Sequence, residues 1–431
     1  MRGTLKAAVG ATALLGAGFV TDSVFGEVKL DANFDHGSLD TGRSFVSSVS
    51  GDVILTGRDN FYGGGDWRWL YFKASGVQSD ATKFWISDDF AGGSSRLNNH
   101  QMIYSYDQQN WTYFDNNGRD FEGGYRFSNN QGFTQDEVYV AYAYPYSYGR
   151  SAAHTASLIG NQYVSSTQSA NSNLVIGQSP GGVDDMGRVV TPKNMFGYKI
   201  TDTSSNQSKT KIALTSGQHA NEVLGNHTLE AMVDMLVSED PRMRELRKHA
   251  EFYVYPMLNP DGRYAGNNRS TIENSEQDPN RLWHPDLYDT HKDIKTTAEA
   301  MMRDTEADVD YFIDFHSTIP TSAQTDFAYL PYEKNNQNDP FFLSLLDMEP
   351  QLIPIQSTGT AWHTTNFAEA YMDAEFDMTF ETMFSLGHPL EYYKDLGESF
   401  ALAFAETLVP IPEPSSILLL GLSGLMIIRR R

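Results

Sequence analysis

The chain has 431 residues, 40% apolar, 20% charged and 13% aromatic, so it can bury a sizeable core and is long enough for two domains. Its formal net charge of −23 repels phosphate over most of the surface and disfavours nucleic acid as a partner. Cysteine is absent, which excludes disulfides, thiolate metal sites and cysteine nucleophiles and leaves His, Asp and Glu to hold any metal.

The N-terminus carries Arg2 and Lys6, then a small, apolar run from Ala7 to Val20, with Val24-Phe25-Gly26 at a cleavage position. Residues 1–26 therefore read as a signal peptide. From about Glu27 to Tyr148 the chain is rich in Gly, Asn, Ser, Asp and aromatics. Short alternating runs, Trp67 to Phe72 and Glu137 to Tyr142, are separated by the turn signals Gly63-Gly64-Gly65, Asn116-Asn117-Gly118 and Asn129-Asn130. This texture predicts a small antiparallel β domain over 27–148.

From about Gly149 strands alternate with helices. Lys211 to Thr215 is a buried-type strand, and Leu229, Met232, Val233 and Leu236 have helical spacing that Pro241 closes. Phe252 to Met257, Val309 to Phe315 and Phe376 to Phe380 are further strands. The alternation predicts an α/β domain over 149–409, a sheet with helices on both faces and functional residues where strands end.

Ser216-Gly217-Gln218-His219-Ala220-Asn221-Glu222 follows the first of these strands. A His and a Glu three apart at a strand-to-helix turn can point at one cation, and zinc accepts both ligand types. The pattern recurs at His227/Glu230, inside the predicted helix where a solvated face is expected, and at His388/Glu391, in a loop before Pro389. Position singles out the first. His316, at the end of the strand Val309 to Phe315, is a plausible third ligand; a hydrogen-bonded core histidine is the alternative.

Further on come Asn259-Pro260-Asp261-Gly262, strong turn chemistry, then Gly266-Asn267-Asn268-Arg269 and Asn280-Arg281-Leu282-Trp283. The whole order resembles the M14 metallocarboxypeptidase family, closest to its cytosolic-carboxypeptidase-like branch. Tyr144-Pro145-Tyr146-Ser147-Tyr148 is similar to the junction that follows the N-terminal β-sandwich of that branch. The resemblance covers nearly all of residues 27–409. It implies a mixed β-sheet with helices on both faces, preceded by an antiparallel β-sandwich.

The same resemblance implies that His219, Glu222 and His316 bind one zinc ion, and that Arg269 polarises the scissile carbonyl. It implies that Asn280 and Arg281 hold the substrate's terminal carboxylate, and that Glu381 is general base and then acid. Tyr371 is the nearest candidate for the family's substrate-capping tyrosine. Physics supports the roles: a carboxylate beside an activated water contributes about 10²–10⁴ in rate, and the planar guanidinium fork suits a free carboxylate. Ala220 and Asn221 stand where digestive members carry an arginine, so a secondary carboxylate contact is missing. The expected activity is release of C-terminal residues from peptides or proteins. A zinc amidase or deacylase, which needs no carboxylate clamp, and a silent surface-binding module are the alternatives.

The C-terminus reads Pro410-Ile411-Pro412-Glu413-Pro414, then Ile417 to Leu422 and Met426 to Ile428, then Arg429-Arg430-Arg431. Its apolar stretch is short of the roughly 20 residues of a confident spanning helix. The order resembles the PEP-CTERM sorting tail of Gram-negative bacteria. That resemblance implies that residues 410–431 sit transiently in the inner membrane and are processed by a sorting protease. The protein is then expected in the periplasm, at the cell surface or outside.

Overall fold

The computed structural model describes residues 28–58, 69–78, 82–86, 100–119, 124–273, 277–318, 325–332, 334–357, 362–384 and 387–410. The signal segment, residues 411–431 of the tail and the 63–65 turn lie outside the described residues.

The N-terminal region forms two five-stranded sheets. One runs in the order Lys29–Asp31, Tyr71–Ser75, Glu137–Ala141, Ile103–Ser105, Trp111–Tyr113. The other runs Phe45–Val46, Val53–Leu55, Phe84–Ile86, Tyr125–Ser128, Asn116–Arg119. Alternation sets the inner face: Val138 and Val140 are buried, and Phe72 and Phe84 meet edge-to-face across the sheets at 5.8 Å. The expected antiparallel sandwich carries one parallel pair, Val53–Leu55 with Phe84–Ile86.

The second region is built on an eight-stranded sheet. Its order is Val164–Ser166, Tyr198–Ile200, Ala250–Tyr255, Thr210–Ser216, Tyr311–Thr318, Phe376–Met383, Phe327–Pro331, Ile353–Ser357. The centre is parallel, while Tyr198–Ile200 and Phe327–Pro331 join it antiparallel, so the sheet is mixed, as expected.

Neighbouring side chains go to opposite faces. Ile212, Leu214, Phe252, Val254, Ile313, Phe315, Met378 and Phe380 belong to one core, packed with the helices Leu224–Val237 and Leu390–Leu408. Ala213, Tyr253, Tyr255 and Phe312 belong to the other, beneath the helices Lys292–Asp304 and Thr364–Tyr371. Burying each such Val, Leu, Ile or Phe is worth about 1.5–3 kcal/mol, so a one-residue slip that inverted a strand is excluded. Register is therefore fixed, and with it the residues that the strand ends present.

Two helix boundaries differ from expectation. Pro241 does not merely close the first helix; it occupies the first turn of a second helix, Pro241–His249, capped by Asp240. Asn259-Pro260-Asp261-Gly262 is a helix start rather than a loop: the Asn259 side chain accepts from Gly262 N at 2.9 Å, Pro260 opens the helix Pro260–Ala265 and Gly266 ends it. His227 and Glu230 are not a solvated face either. His227 is buried with Nε2 donating to Tyr144 O (3.2 Å), and Glu230 accepts from Tyr146 Oη (2.7 Å), so both secure the junction between the two regions.

Candidate metal centre

After the strand Thr210–Ser216 the chain turns at Gly217, whose φ of +70° lies in the left-handed region. A Cβ there would stand 2.9 Å from Asn226 Nδ2 and 3.0 Å from Met257 Sδ, so only glycine fits the turn. His219 and Glu222 lie between this turn and the helix Leu224–Val237. Gly225 lets that helix press on the neighbouring strand: a Cβ at this position would meet His316 O at 2.7 Å. His316 lies near the end of the strand Tyr311–Thr318, and its Cα partner on Phe376–Met383 is Glu381.

The three ligand-bearing side chains converge. His316 Nδ1 lies 2.6 Å from Glu222 Oε2 and 3.1 Å from His219 Nδ1, and His219 Nδ1 lies 2.8 Å from Glu222 Oε1. One ligand atom from each of the three falls within 4.8 Å of the others, and all three residues are buried. Each imidazole is held from behind. His219 Nε2 donates to Asp278 Oδ1 (2.9 Å), and His316 Nε2 donates to Asp314 Oδ2 (2.7 Å). Carboxylates only accept, so Nε2 of each ring carries a proton, and each Nδ1 faces Glu222 and the other ring. Two ring nitrogens and a carboxylate aimed at one point need positive charge there, either a proton or a metal ion. The donor set fits zinc: two neutral imidazoles and a carboxylate, with room left for water.

Electrostatics tell the same story. Burial opposes ionisation of Glu222, but His219, His316 and Arg269 hold it well below the usual carboxylate range. Burial opposes charge on His316 too, yet Asp314 and Glu222 hold its imidazole well above the ordinary value. That negative field favours any cation. Asp278 is also held down, against burial, by His219, Arg269 and Arg281.

Around the triad lies a cleft of about 710 Å³ lined by His219, Glu222, Arg269, Asn280, Arg281 and Glu381, among others. Arg269 spans two carboxylates, with Nη1 to Glu222 Oε1 (2.7 Å) and Nε to Asp278 Oδ2 (3.0 Å). Asn280 Oδ1 accepts from Thr364 N (3.0 Å) and Oγ1 (3.2 Å), which leaves its amide NH₂ for donation. Arg281 Nη1 donates to Asn280 O at 2.7 Å, and its side chain is 46% exposed, so the guanidinium is open to a ligand. Asp377, Thr379 and Glu381 alternate along their strand and all line the cleft. Burial first, then the Glu222 carboxylate, push the Glu381 carboxyl up to about 8, and its buried Oε2 has no hydrogen-bond partner.

Tyr371 is the exception. It sits at the end of the helix Thr364–Tyr371 with its ring against Phe367 (5.4 Å), His284 (5.9 Å) and Trp362 (6.2 Å), and it is not among the residues that line the cleft. Tyr329, Tyr332 and His363 line the cleft instead, and sequence reasoning did not single them out. Asp278 and Asp314 were missed as well. For Asp314 the signal was present: an Asp two residues before a His on a strand shares its face.

Residues 161–328 match the model of the family described as zinc carboxypeptidase. Cytosolic carboxypeptidase 6 of Mus musculus is 30% identical over 190 residues, covering 42% of this chain and 32% of its own. Cytosolic carboxypeptidase 2 of Homo sapiens is 23% identical over 359 residues, covering 78% of this chain and 37% of its own. The chain thus spans about a third of the length of these curated relatives. A metallo-carboxypeptidase from Burkholderia cenocepacia has a similar structure, with a TM-score of 0.71 at 18% identity, covering 88% of this chain and 98% of that one. A metallo-carboxypeptidase from Pseudomonas aeruginosa, solved with (2-guanidinoethylmercapto)succinic acid, gives 0.69 at 22% identity and the same coverages. The fold is that of metallocarboxypeptidases, sandwich included.

Proposed function

We propose that this chain, whose residues 161–328 match the zinc carboxypeptidase family, hydrolyses C-terminal residues from peptides or proteins with one zinc ion held by His219, Glu222 and His316. The observation that carries the proposal is the convergence of those three ligand atoms beside Glu381, the cross-strand partner of His316. Zinc, when bound, supplies Lewis acidity to a water molecule and to the scissile carbonyl. Glu381 is the general base: a buried carboxyl with an unpartnered oxygen can take a proton from that water and return it to the leaving amine. Arg269, held at the triad by Glu222 and Asp278, stabilises the oxyanion by about 2.7–4 kcal/mol, the worth of an oxyanion-hole donor. Asn280 offers its amide NH₂ and Arg281 its fork to the substrate's terminal carboxylate.

The signal-like N-terminus and the sorting-tail resemblance support a site of action outside the cytoplasm, on periplasmic, surface or extracellular C-termini. The test is residues 27–409 against a peptide mixture, with and without chelator, read by mass spectrometry. Single residues should leave from free C-termini, chelator should abolish release, and zinc should restore it. Equal release from amidated peptides would point to an amidase, and no release by fully zinc-loaded protein would sink the peptidase reading.

A further inference from the structure

The turn that carries His219 and Glu222 has little internal support: Glu222 N donates to His219 O at 3.2 Å. Three of its carbonyls are also gripped from outside. Arg263 is fully buried, and its acceptors are three main-chain carbonyls and one amide oxygen. Nη2 donates to His219 O (3.3 Å), Glu222 O (3.2 Å) and Asn226 Oδ1 (2.8 Å), and Nη1 to Tyr146 O (2.7 Å). A buried guanidinium is costly to desolvate, so its place behind a metal-ligand turn requires a reason.

A third carbonyl of the turn, Ala220 O, is held from the N-terminal sandwich. His36 Nε2 donates to it at 3.2 Å, while Ala220 N donates to Arg269 O at 3.1 Å. The His36 ring stacks on Trp69 at 4.4 Å and 14°, and Trp69 Nε1 donates to His36 O at 3.0 Å. Trp69 N in turn donates to Asn268 Oδ1 (2.8 Å), the residue before Arg269. The sandwich therefore touches both the ligand turn and the loop that carries Arg269.

We propose that His36 and Arg263 are positioning residues for the metal, holding the carbonyls of His219, Ala220 and Glu222 so that the two ligand side chains aim at one point. The N-terminal sandwich is then part of the metal site rather than an appendage to it. The inference rests on the metal reading above, but its test does not depend on peptidase activity.

The test uses the full chain and competition with a chromophoric zinc chelator. Position 36 has φ of +74°, which Asn tolerates, so His36→Asn is a safe deletion whose shorter side chain no longer reaches Ala220. His36→Gln restores the reach and an N–H donor. Arg263→Lys keeps the charge, but one ammonium cannot span four acceptors. His36→Asn and Arg263→Lys should each weaken zinc binding by about 10–100-fold, as loss of a supporting partner does elsewhere, and His36→Gln should recover most of it. In zinc-saturated variants kcat should fall while KM stays near wild type. Zinc affinity within twofold of wild type in His36→Asn, whatever its melting temperature, overturns the inference, and that variant decides alone if Arg263→Lys does not fold. A wild-type chain that binds no zinc removes the metal reading and this inference with it. One that binds zinc without releasing residues removes only the peptidase.

Discussion

Replacing Glu381 by Gln separates chemistry from metal binding and also tests the electrostatics of the cleft. In the metal-free fold burial and then the Glu222 carboxylate push this carboxyl up to about 8, from an ordinary value of 4.5. Between those values the folded chain keeps a proton that the unfolded chain has released, so the folded state binds more protons and stability falls as pH rises. Each pH unit of that window costs at most about 1.4 kcal/mol. Discounted for solvent screening in an open cleft, the total is on the order of 2–4 kcal/mol by pH 8. Gln is neutral throughout and escapes the loss. Metal-free Glu381→Gln should therefore match wild type near pH 5 and melt several degrees above it near pH 8, by calorimetry in chelator. With zinc restored it should bind the ion and lose about 10²–10⁴ in kcat. A melting difference that does not change between pH 5 and 8 would refute the buried-carboxyl argument. Retained turnover would refute the general-base role.

Two other predictions follow from side chains behind the site. Asp278→Asn and Asp314→Asn each release an imidazole Nε2 from its carboxylate, so zinc affinity should drop about 10–100-fold in chelator competition while the fold persists. His227 is held neutral, its pKa lowered to about 3 by burial and then by Arg150, so the folded chain refuses a proton that the unfolded chain takes up near 6.5. Metal-free stability should accordingly fall as pH drops from 6.5 toward 3, and His227→Gln should flatten that acid limb in a denaturation series.

Much was legible in the residues themselves. Buried-type apolar runs located the central strands, and with them the residues that follow where the strands end. His219 and Glu222 after Thr215, and His316 after Phe315, were readable for that reason. Gly217 and the Asn259-Pro260 pair are local conformational requirements, and those are written in sequence even when the element they build, here a short helix, is misjudged. What sequence could not reach depends on contacts between distant segments. That Glu381 stands opposite His316 is decided by strand order, which no local pattern encodes. The aromatic neighbours of the Tyr371 ring are likewise decided by the fold, because helical position does not reveal them. The burial of His227 was hidden because only the folded junction supplies Tyr144 O as its acceptor. Likewise His36 meets Ala220 across 184 residues, a hydrogen bond between two regions that each look self-sufficient in one dimension. Sequence determined the candidate ligands and their local geometry, because those follow from short-range sterics and periodicity. The tertiary structure alone decided which carboxylates and carbonyls hold them, because those interactions exist only once remote surfaces are packed together.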